Sequence, residues 1–445
     1  MKKFTIKLFL LTLFVGLATL GAQAQKVLTL DECIRLSLTN NLQVKNNEID
    51  VQTVLSKINE TKSSFLPSID LTGQYQYYLS LPKMLVPAKF FDPTAPDDQY
   101  AEASFSSPQT TTAGLQVSQL LYNQKVFIGL KAAKTAKNMT ELQLGKTKED
   151  LKYNISAVYY NLQVIQSNLQ VLQKNMQSLQ QIIQSSKSLK DNEILSKTNF
   201  KRLEINLENL KNEQHNLQLT NEKAHNLLKF LLGLPLTEAI TVEQYDDTRL
   251  ISTDLMVSGS SEDRLDLKLV KEQIQLAELD KQAAVAEYYP SLAGVYNYGI
   301  TGYNNKVAPF QTLNDRWMNS SYVALQLNIP IFSGFSRMQK VKQKDNDLRK
   351  AKNSYELLRQ SAERDLTDAK NNLLSTGNSF ENAKRNLQLA QEILQGSTTE
   401  YQNGLISLSE VLQIQNELSQ ARSNYSTALI NMKLAEIEWR KSVGK

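Results

Sequence analysis

The stretch YYPSLAGVYNYGI at residues 288–300 decides the fold, because FLPSIDLTGQYQYY at 65–78 repeats its plan. Each leaves a polar helical run, passes a proline, and then alternates apolar with small or polar residues. Proline breaks a helix interior but is tolerated at the first residue of a strand. Pro67 and Pro290 therefore mark junctions where a helix stops and a strand begins. In the first stretch Ile69, Leu71, Tyr75, Tyr77 and Leu79 are apolar or aromatic, while Ser68, Asp70, Thr72, Gln74 and Gln76 are polar. In the second the apolar set is Leu292, Tyr296, Tyr298 and Ile300. A period of two gives a strand one apolar face.

Working outward, the echo extends along the chain. Pro67 aligns with Pro290 at an offset of 223, and GLQVSQLLYNQ (114–124) with ALQLNIPIFSG (324–334) at 210. DNEILSKTNF (191–200) aligns with QNGLISLSEV (402–411) at 211. Three echoes in one order are an internal duplication. The difference between the first two offsets is an insertion of 13 in the first copy, within 81–110. That segment holds Pro82, Pro87, Pro93, Pro96 and Pro108 and reads as a loop. This predicts a first repeat over 25–235 with a β-hairpin at 68–122, a linker at 236–261, and a second repeat over 262–445 with a hairpin at 291–332.

Between hairpins the pattern is that of long helices. Leu162, Ile165, Leu169, Leu172, Met176, Leu179 and Ile183 follow the 3-4 spacing of a coiled-coil seam. The seam breaks at SSKSLKDNE and resumes from Phe200 through Leu203, Leu207 and Leu210 to Leu231. The second copy repeats it through Ala383, Leu387, Ala390 and Leu394, breaks at YQNG, and returns through Ile414, Leu418, Ala421 and Tyr425 to Trp439. No proline occurs from Lys125 to about Lys187. A helix of that length spans roughly 90 Å at about 1.5 Å per residue. The fold class is mainly α with a small β part: antiparallel coiled-coil hairpins plus four β-strands per chain.

Residues 1–24 contain Lys2, Lys3 and Lys7, an apolar run from Leu8 to Leu20, and Ala22-Gln23-Ala24. That is the layout of a cleaved secretory signal peptide over 1–24. The run is short for a membrane span of about 20 residues. Removing these residues takes the formal charge from +5 to +2. A near-neutral, well-mixed chain gives no nucleic-acid footprint. Cys33, the single cysteine, excludes an internal disulfide framework and reads as a small buried helix residue.

An exported chain whose strands alternate apolar-out and polar-in fits a transmembrane barrel. Leu115 and Val117, then Val323, Leu325, Leu327 and Ile329, extend the alternation to the returning strands. Two hairpins supply four strands, and small outer-membrane barrels begin at about eight. One chain therefore cannot close a barrel. Either several chains contribute, or the strands form an ordinary soluble sheet.

Several segments resemble the TolC family of outer-membrane efflux channels. LTLDECIRLSLTNNLQVK at 28–45, the FLPSI and YYPSL junctions, GLQVSQLLYNQ, ALQLNIPIFSGF, LLGLPL at 231–236, and YQNGLISLSEVLQIQNELSQARSNYSTALINMKLAEIEW at 401–439 carry the resemblance. It implies a homotrimer with a twelve-stranded barrel in outer-membrane lipid and an α-helical tunnel through the periplasm. The tunnel would dock on a periplasmic adaptor (membrane fusion) protein coupled to an inner-membrane pump of RND, ABC or MFS type, with no cofactor. Two other readings remain, a periplasmic structural coiled coil and a passive porin; the latter leaves the long helices without a use.

The resemblance also points to positions. Asn403, Gly404, Leu405 and Ser407, with Ile194, Leu195 and Ser196 in the first copy, match adaptor-contacting tips. Glu193 stands in the glycine's place in the first copy, which sets the two tips apart. Gly404 suits a helix end, and Ser407 with Glu410 three residues on suits a capping box. Glu410 matches the first of the family's two inward acidic gate positions; Gln413 occupies the second. A ring of Glu410 side chains would disfavour anions and could bind a cation. Tyr75, Tyr77, Tyr296 and Tyr298 suit an interfacial aromatic belt or simply reflect strand propensity. His215 and His225, ten positions apart, do not share adjacent turns of one helix face and read as solvated; no hydrolase or phosphate-loop motif is present.

Overall fold

A computed structural model describes residues 26–191, 196–244, 260–304, 317–403 and 405–444. The expected signal peptide, Glu193, Ile194, Leu195 and Gly404 lie outside these residues. The first repeat begins with β1 (Lys26–Leu28), α1 (Leu30–Asn40) and α2 (Leu42–Ser63). The first hairpin pairs β2 (Ser68–Tyr77) with β5 (Gln109–Asn123) and encloses β3 (Met84–Pro87) and β4 (Tyr100–Ala103). Two long helices follow, α3 (Gln124–Asp191) and α4 (Lys197–Leu232), and then β6 (Ile240–Val242). The second repeat is α5 (Leu265–Ala286), β7 (Ser291–Asn304), β8 (Trp317–Asn328), α6 (Ser336–Gln402) and α7 (Leu408–Ser442).

The element boundaries carry the duplication. α2 and α5 both run 22 residues. Their starts, Leu42 and Leu265, keep the offset of 223, and so do the starts of β2 and β7, Ser68 and Ser291. The returning helices α4 and α7 keep the offset of 211 and begin after Ser196 and Ser407 respectively. Each of those serines accepts a hydrogen bond from the backbone N–H three residues on, at 3.2 Å from Asn199 and 3.3 Å from Glu410. The anticipated capping box at Ser407 is only half made; the reciprocal box forms instead at Thr29 and Glu32.

Each repeat also closes on a left-handed glycine, Gly233 at φ 68° and Gly444 at φ 72°. A Cβ on Gly233 would lie 2.8 Å from the Asn40 carbonyl carbon, and one on Gly444 would lie 2.8 Å from that of Asp263. Asn40 and Asp263 are themselves related by the offset of 223, so one close approach has been copied with its surroundings.

Contacts divide the chain into two compact units, each drawn from both repeats. One comprises Met1–Val51, Met139–Lys271 and Asn353–Lys445; the other comprises Gln52–Asn138 and Glu272–Lys352. In the first unit the first-copy seam is buried at four positions and half-buried at Leu169, Met176 and Ile183. Leu162 and Leu179 are fully buried, and Ile165 and Leu172 nearly so. The core there joins Leu162 and Ile155 to Cys33, Val44, Leu228 and Leu232. Burial of a leucine side chain contributes about 1.5–3 kcal/mol, so this seam is a principal source of stability.

Two expectations need correction. The 81–110 segment is not simply a loop: β3 and β4 pair antiparallel, Met84 with Ala103 through Pro87 with Tyr100, around a 3-10 turn at Ala88–Phe90. A two-stranded ribbon has only edges, where Pro87 costs no ladder bond. The linker is also partly core, since Ile240 and Val242 are almost fully buried where β6 pairs in parallel with β1. No described helix is long and apolar enough to cross a membrane.

Candidate functional site

Two features hold the predicted functional residues, a sheet in the second unit and a pair of helix starts in the first. The sheet has the order β2-β5-β7-β8, all antiparallel. Its register stacks the four apolar sets on one face. Ile69, Val117, Tyr296 and Val323 form one row, and Leu71, Leu115 and Tyr298 fall in the next. A shift at Leu120/Tyr122 keeps Tyr122 opposite Leu292 on that face. The other face carries Asp70, Gln116 and Asn297 in one row, then Thr72, Gly114, Gly299 and Ser320. The apolar face is uncovered: Leu71 and Val323 are each 79% exposed. β2 and β8 each have a free edge among the described residues.

Pro67 and Pro290 each immediately precede their strand, but the helices end four residues earlier, at Ser63 and Ala286. Turn bonds close the gap, such as Leu66 N–H to Ser63 O and Tyr289 N–H to Ala286 O. The prolines therefore begin strands rather than terminate helices. Tyr75, Tyr77, Tyr296 and Tyr298 all lie on the apolar face, half exposed, but at two levels. Tyr75 shares its row with Trp317 across Gly302, while Tyr296 shares its row with Ile69. The eight-residue step from Ile69 to Tyr77 spans roughly 27 Å of strand at about 3.4 Å per residue.

At the helix starts, Asn403 donates its N–H to Thr399 O at 3.1 Å, and Leu405 to Glu400 O at 2.9 Å, closing the end of α6. Leu405 is 73% exposed. Beneath lie buried Leu179 and Leu203, with Leu207, Leu210, Tyr401 and Leu412 packed around them. Ser196, Ser407 and Glu410 are exposed. Gln413 is exposed too, and its amide donates to Glu417 Oε1 at 3.1 Å.

One neighbour was missed from sequence. Arg202 Nη1 donates to Ser409 Oγ at 3.5 Å, which joins the two helix starts. Arg202 maps onto Gln413 by the duplication's own offset of 211, which could have found it. His225 is half-buried rather than solvated, with Nδ1 2.9 Å from Asn221 O. No cluster of metal-binding side chains occurs among the described residues.

A family model for outer membrane efflux proteins matches residues 33–234 and 257–445. The chain belongs to the outer membrane efflux protein family. Among curated members, outer membrane protein TolC of Escherichia coli K12 is 20% identical, over 96% of this chain and 86% of that one. Among solved structures, CusC superposes with a TM-score of 0.75 at 18% identity, covering 96% of this chain and 95% of that one. The CmeC outer membrane channel of Campylobacter jejuni gives 0.73 at 16% identity, covering 93% and 85%. As a member of this family, the chain is an outer-membrane efflux channel of a Gram-negative cell with a large periplasmic part.

Proposed function

We propose that three copies of the chain close one twelve-stranded barrel and extend it as a helical conduit through the periplasm. Cargo would enter from an inner-membrane pump by way of a periplasmic adaptor. The observation that carries this reading is the four-stranded sheet with one uncovered apolar face and two free edges. Backbone groups in lipid must be paired, so such a sheet needs neighbours on both edges. Four strands are too few to close a barrel alone, and three copies make twelve. Tyr75 and Tyr77 would sit toward one membrane interface and Tyr296 and Tyr298 toward the other: the roughly 27 Å of strand between Tyr77 and the Tyr296 row rises roughly 19–22 Å once tilted by about 35–45°, within an apolar band of about 25 Å.

At the tips, Asn403, Leu405 and Ser407 form the second-repeat part of the adaptor surface, with Ser196 in the first and Gly404, Ile194 and Leu195 completing it. Exposed Leu405 is the apolar anchor of that surface. Glu410, its N–H held by Ser407, lines the gate with Gln413. The pump is of RND, ABC or MFS type.

Carbonate extraction tests the membrane reading: the channel remains with outer membranes, whereas a periplasmic coiled coil is released. Planar-bilayer recording tests the gate. Glu410→Ala is expected to raise single-channel conductance, and an unchanged conductance would remove Glu410 from it.

A further inference from the structure

A cavity between α3, α4 and α7 holds a charge that the fold leaves unanswered. Arg422 of α7 lines this cavity of about 230 Å³, and its Nη1 is buried without a hydrogen-bond partner among the described residues. Burial holds the guanidinium below the ordinary arginine range, yet arginine keeps its proton in proteins. A buried cation without a counter-charge is destabilising, because nothing replaces the hydration it has lost.

The duplication shows what is missing. At the offset of 211, Arg422 corresponds to Lys211 of α4, which pairs with Glu208, three residues earlier, at 2.7 Å. The position of Glu208 is occupied in α7 by Ser419, which lines the same cavity. Where α4 carries a carboxylate beside its cation, α7 carries a hydroxyl and an open space.

The other walls suit a carboxylate that arrives from outside. Asn168 and Asn175 of α3 and Ser423 of α7 also line the space. Asn168 Oδ1 already accepts from Ser426 Oγ at 2.9 Å, which leaves its NH2 group to donate. Buried Leu172 and half-buried Leu217 supply an apolar side. Water in the cavity can accept from Nη1 but brings no charge. The planar guanidinium fork, with hydroxyl and amide donors around it, matches the geometry of a carboxylate. Exposed Glu213, also in the lining, opposes a second negative charge.

We propose that this cavity binds the carboxylate of a small organic monoacid, with Arg422 as counter-charge and Ser419, Ser423 and the two asparagines as hydrogen-bond donors. The bound acid supplies from solution the charge that Glu208 supplies within α4, and it ties α7 to α3. Every residue of the site belongs to one chain, so the proposal stands apart from how copies assemble.

The test heats the detergent-extracted full chain in propionate, chloride or phosphate at equal ionic strength and follows the loss of helical circular dichroism. Propionate should raise the unfolding temperature of the wild type saturably, and chloride and phosphate should not. Arg422→Met removes the unanswered charge and keeps an apolar stem. It should unfold above wild type in chloride and below it in saturating propionate, a reversal of order that a merely structural arginine would not give. Ser419→Glu places in α7 the carboxylate that α4 carries. It should unfold above wild type in chloride and lose its response to propionate. A wild-type response to propionate no larger than that to chloride overturns the site, and so does a response that survives in both variants. A response to phosphate alone overturns the carboxylate assignment. Should Arg422→Met fail to accumulate, the response of Ser419→Glu decides by itself.

Discussion

The starts of α4 and α7 are one scaffold carrying opposite charge. Both helices begin after a serine that caps the third residue, and both pack on the same tip core. Past the cap, α4 presents Asn199 and Arg202, whereas α7 presents Glu410 and Gln413 at the equivalent places. The same split recurs elsewhere. Asn41 in the first repeat uses its amide to hold Leu231 O at 2.9 Å and to accept from Gln43 N–H. Its counterpart Arg264 instead pairs with Asp266 at 2.7 Å and Asp365 at 3.4 Å. Duplication has preserved what fixes the backbone and let the charge diverge.

The preserved part breaks most severely at its glycines. Gly233→Ala must hold alanine at φ 68° and place a Cβ 2.8 Å from Asn40. The left-handed conformation costs about 1–2 kcal/mol and the overlap about 1–3 more. A loss of roughly 2–5 kcal/mol is expected, read as a lower unfolding temperature and less protein in the outer-membrane fraction. Unaltered stability would mean that the close approach relaxes freely.

The divergent part is tested by making the tips alike. Arg202→Gln gives the first tip the residue of the second and removes the cation beside Ser409. With one positive charge fewer at the tip, the channel should shift toward cations, read as a changed reversal potential under a salt gradient. The shift should shrink at high salt, where exposed charges are screened. Asn199→Ala, at the position equivalent to Glu410, should leave selectivity unchanged.

How much of this was legible in the sequence follows from which interactions are local. The seam was legible because Leu162 through Leu179 keep a fixed spacing, and Leu162, Ile165, Leu172 and Leu179 are buried where that spacing places them. The strands were legible because alternation survives in each. That all four apolar sets share one face depends on register between β5 and β7, which belong to different repeats, and no local pattern encodes it. β3 and β4 hid among prolines, and Ile240–Val242 was too short a run to stand out from a linker. At the tip, the capping serine is a local signal, read within one turn of helix. Arg202 beside Ser409 is a contact between helices and surfaces only when the two repeats are laid over one another.

The caps themselves should behave alike. Ser196→Ala and Ser407→Ala each remove one hydroxyl acceptor and should each cost about 1 kcal/mol of stability. Equal losses of stability accompanied by a conductance change in Ser407→Ala alone would assign Ser407 a role in the gate beyond capping. If neither variant alters conductance, Ser407 is a cap and the gate chemistry belongs to its neighbours.

The smallest effect separates the two helix-to-strand turns. Before Pro290, Glu287 accepts from Lys340 at 2.5 Å and from Lys125 at 2.9 Å. These bonds, Lys340's foremost, hold its carboxyl below the ordinary glutamate range. Its counterpart before Pro67 is Ser64, which has no charge to pair. A carboxylate with a depressed pKa adds stability above its unfolded value, near 4.3, and loses it as pH falls through the folded value. The lysines are about half exposed, so screening limits each pair to about 1 kcal/mol at most. Wild type should therefore unfold slightly above Glu287→Gln at pH 6, and the gap should close as pH falls from the unfolded value near 4.3 through the lowered folded value, below which Glu287 is protonated and resembles glutamine. A gap that persists at low pH would mean that packing rather than charge holds the turn. A charge placed at Ser64 by Ser64→Glu should not reproduce the effect unless it finds a lysine of its own.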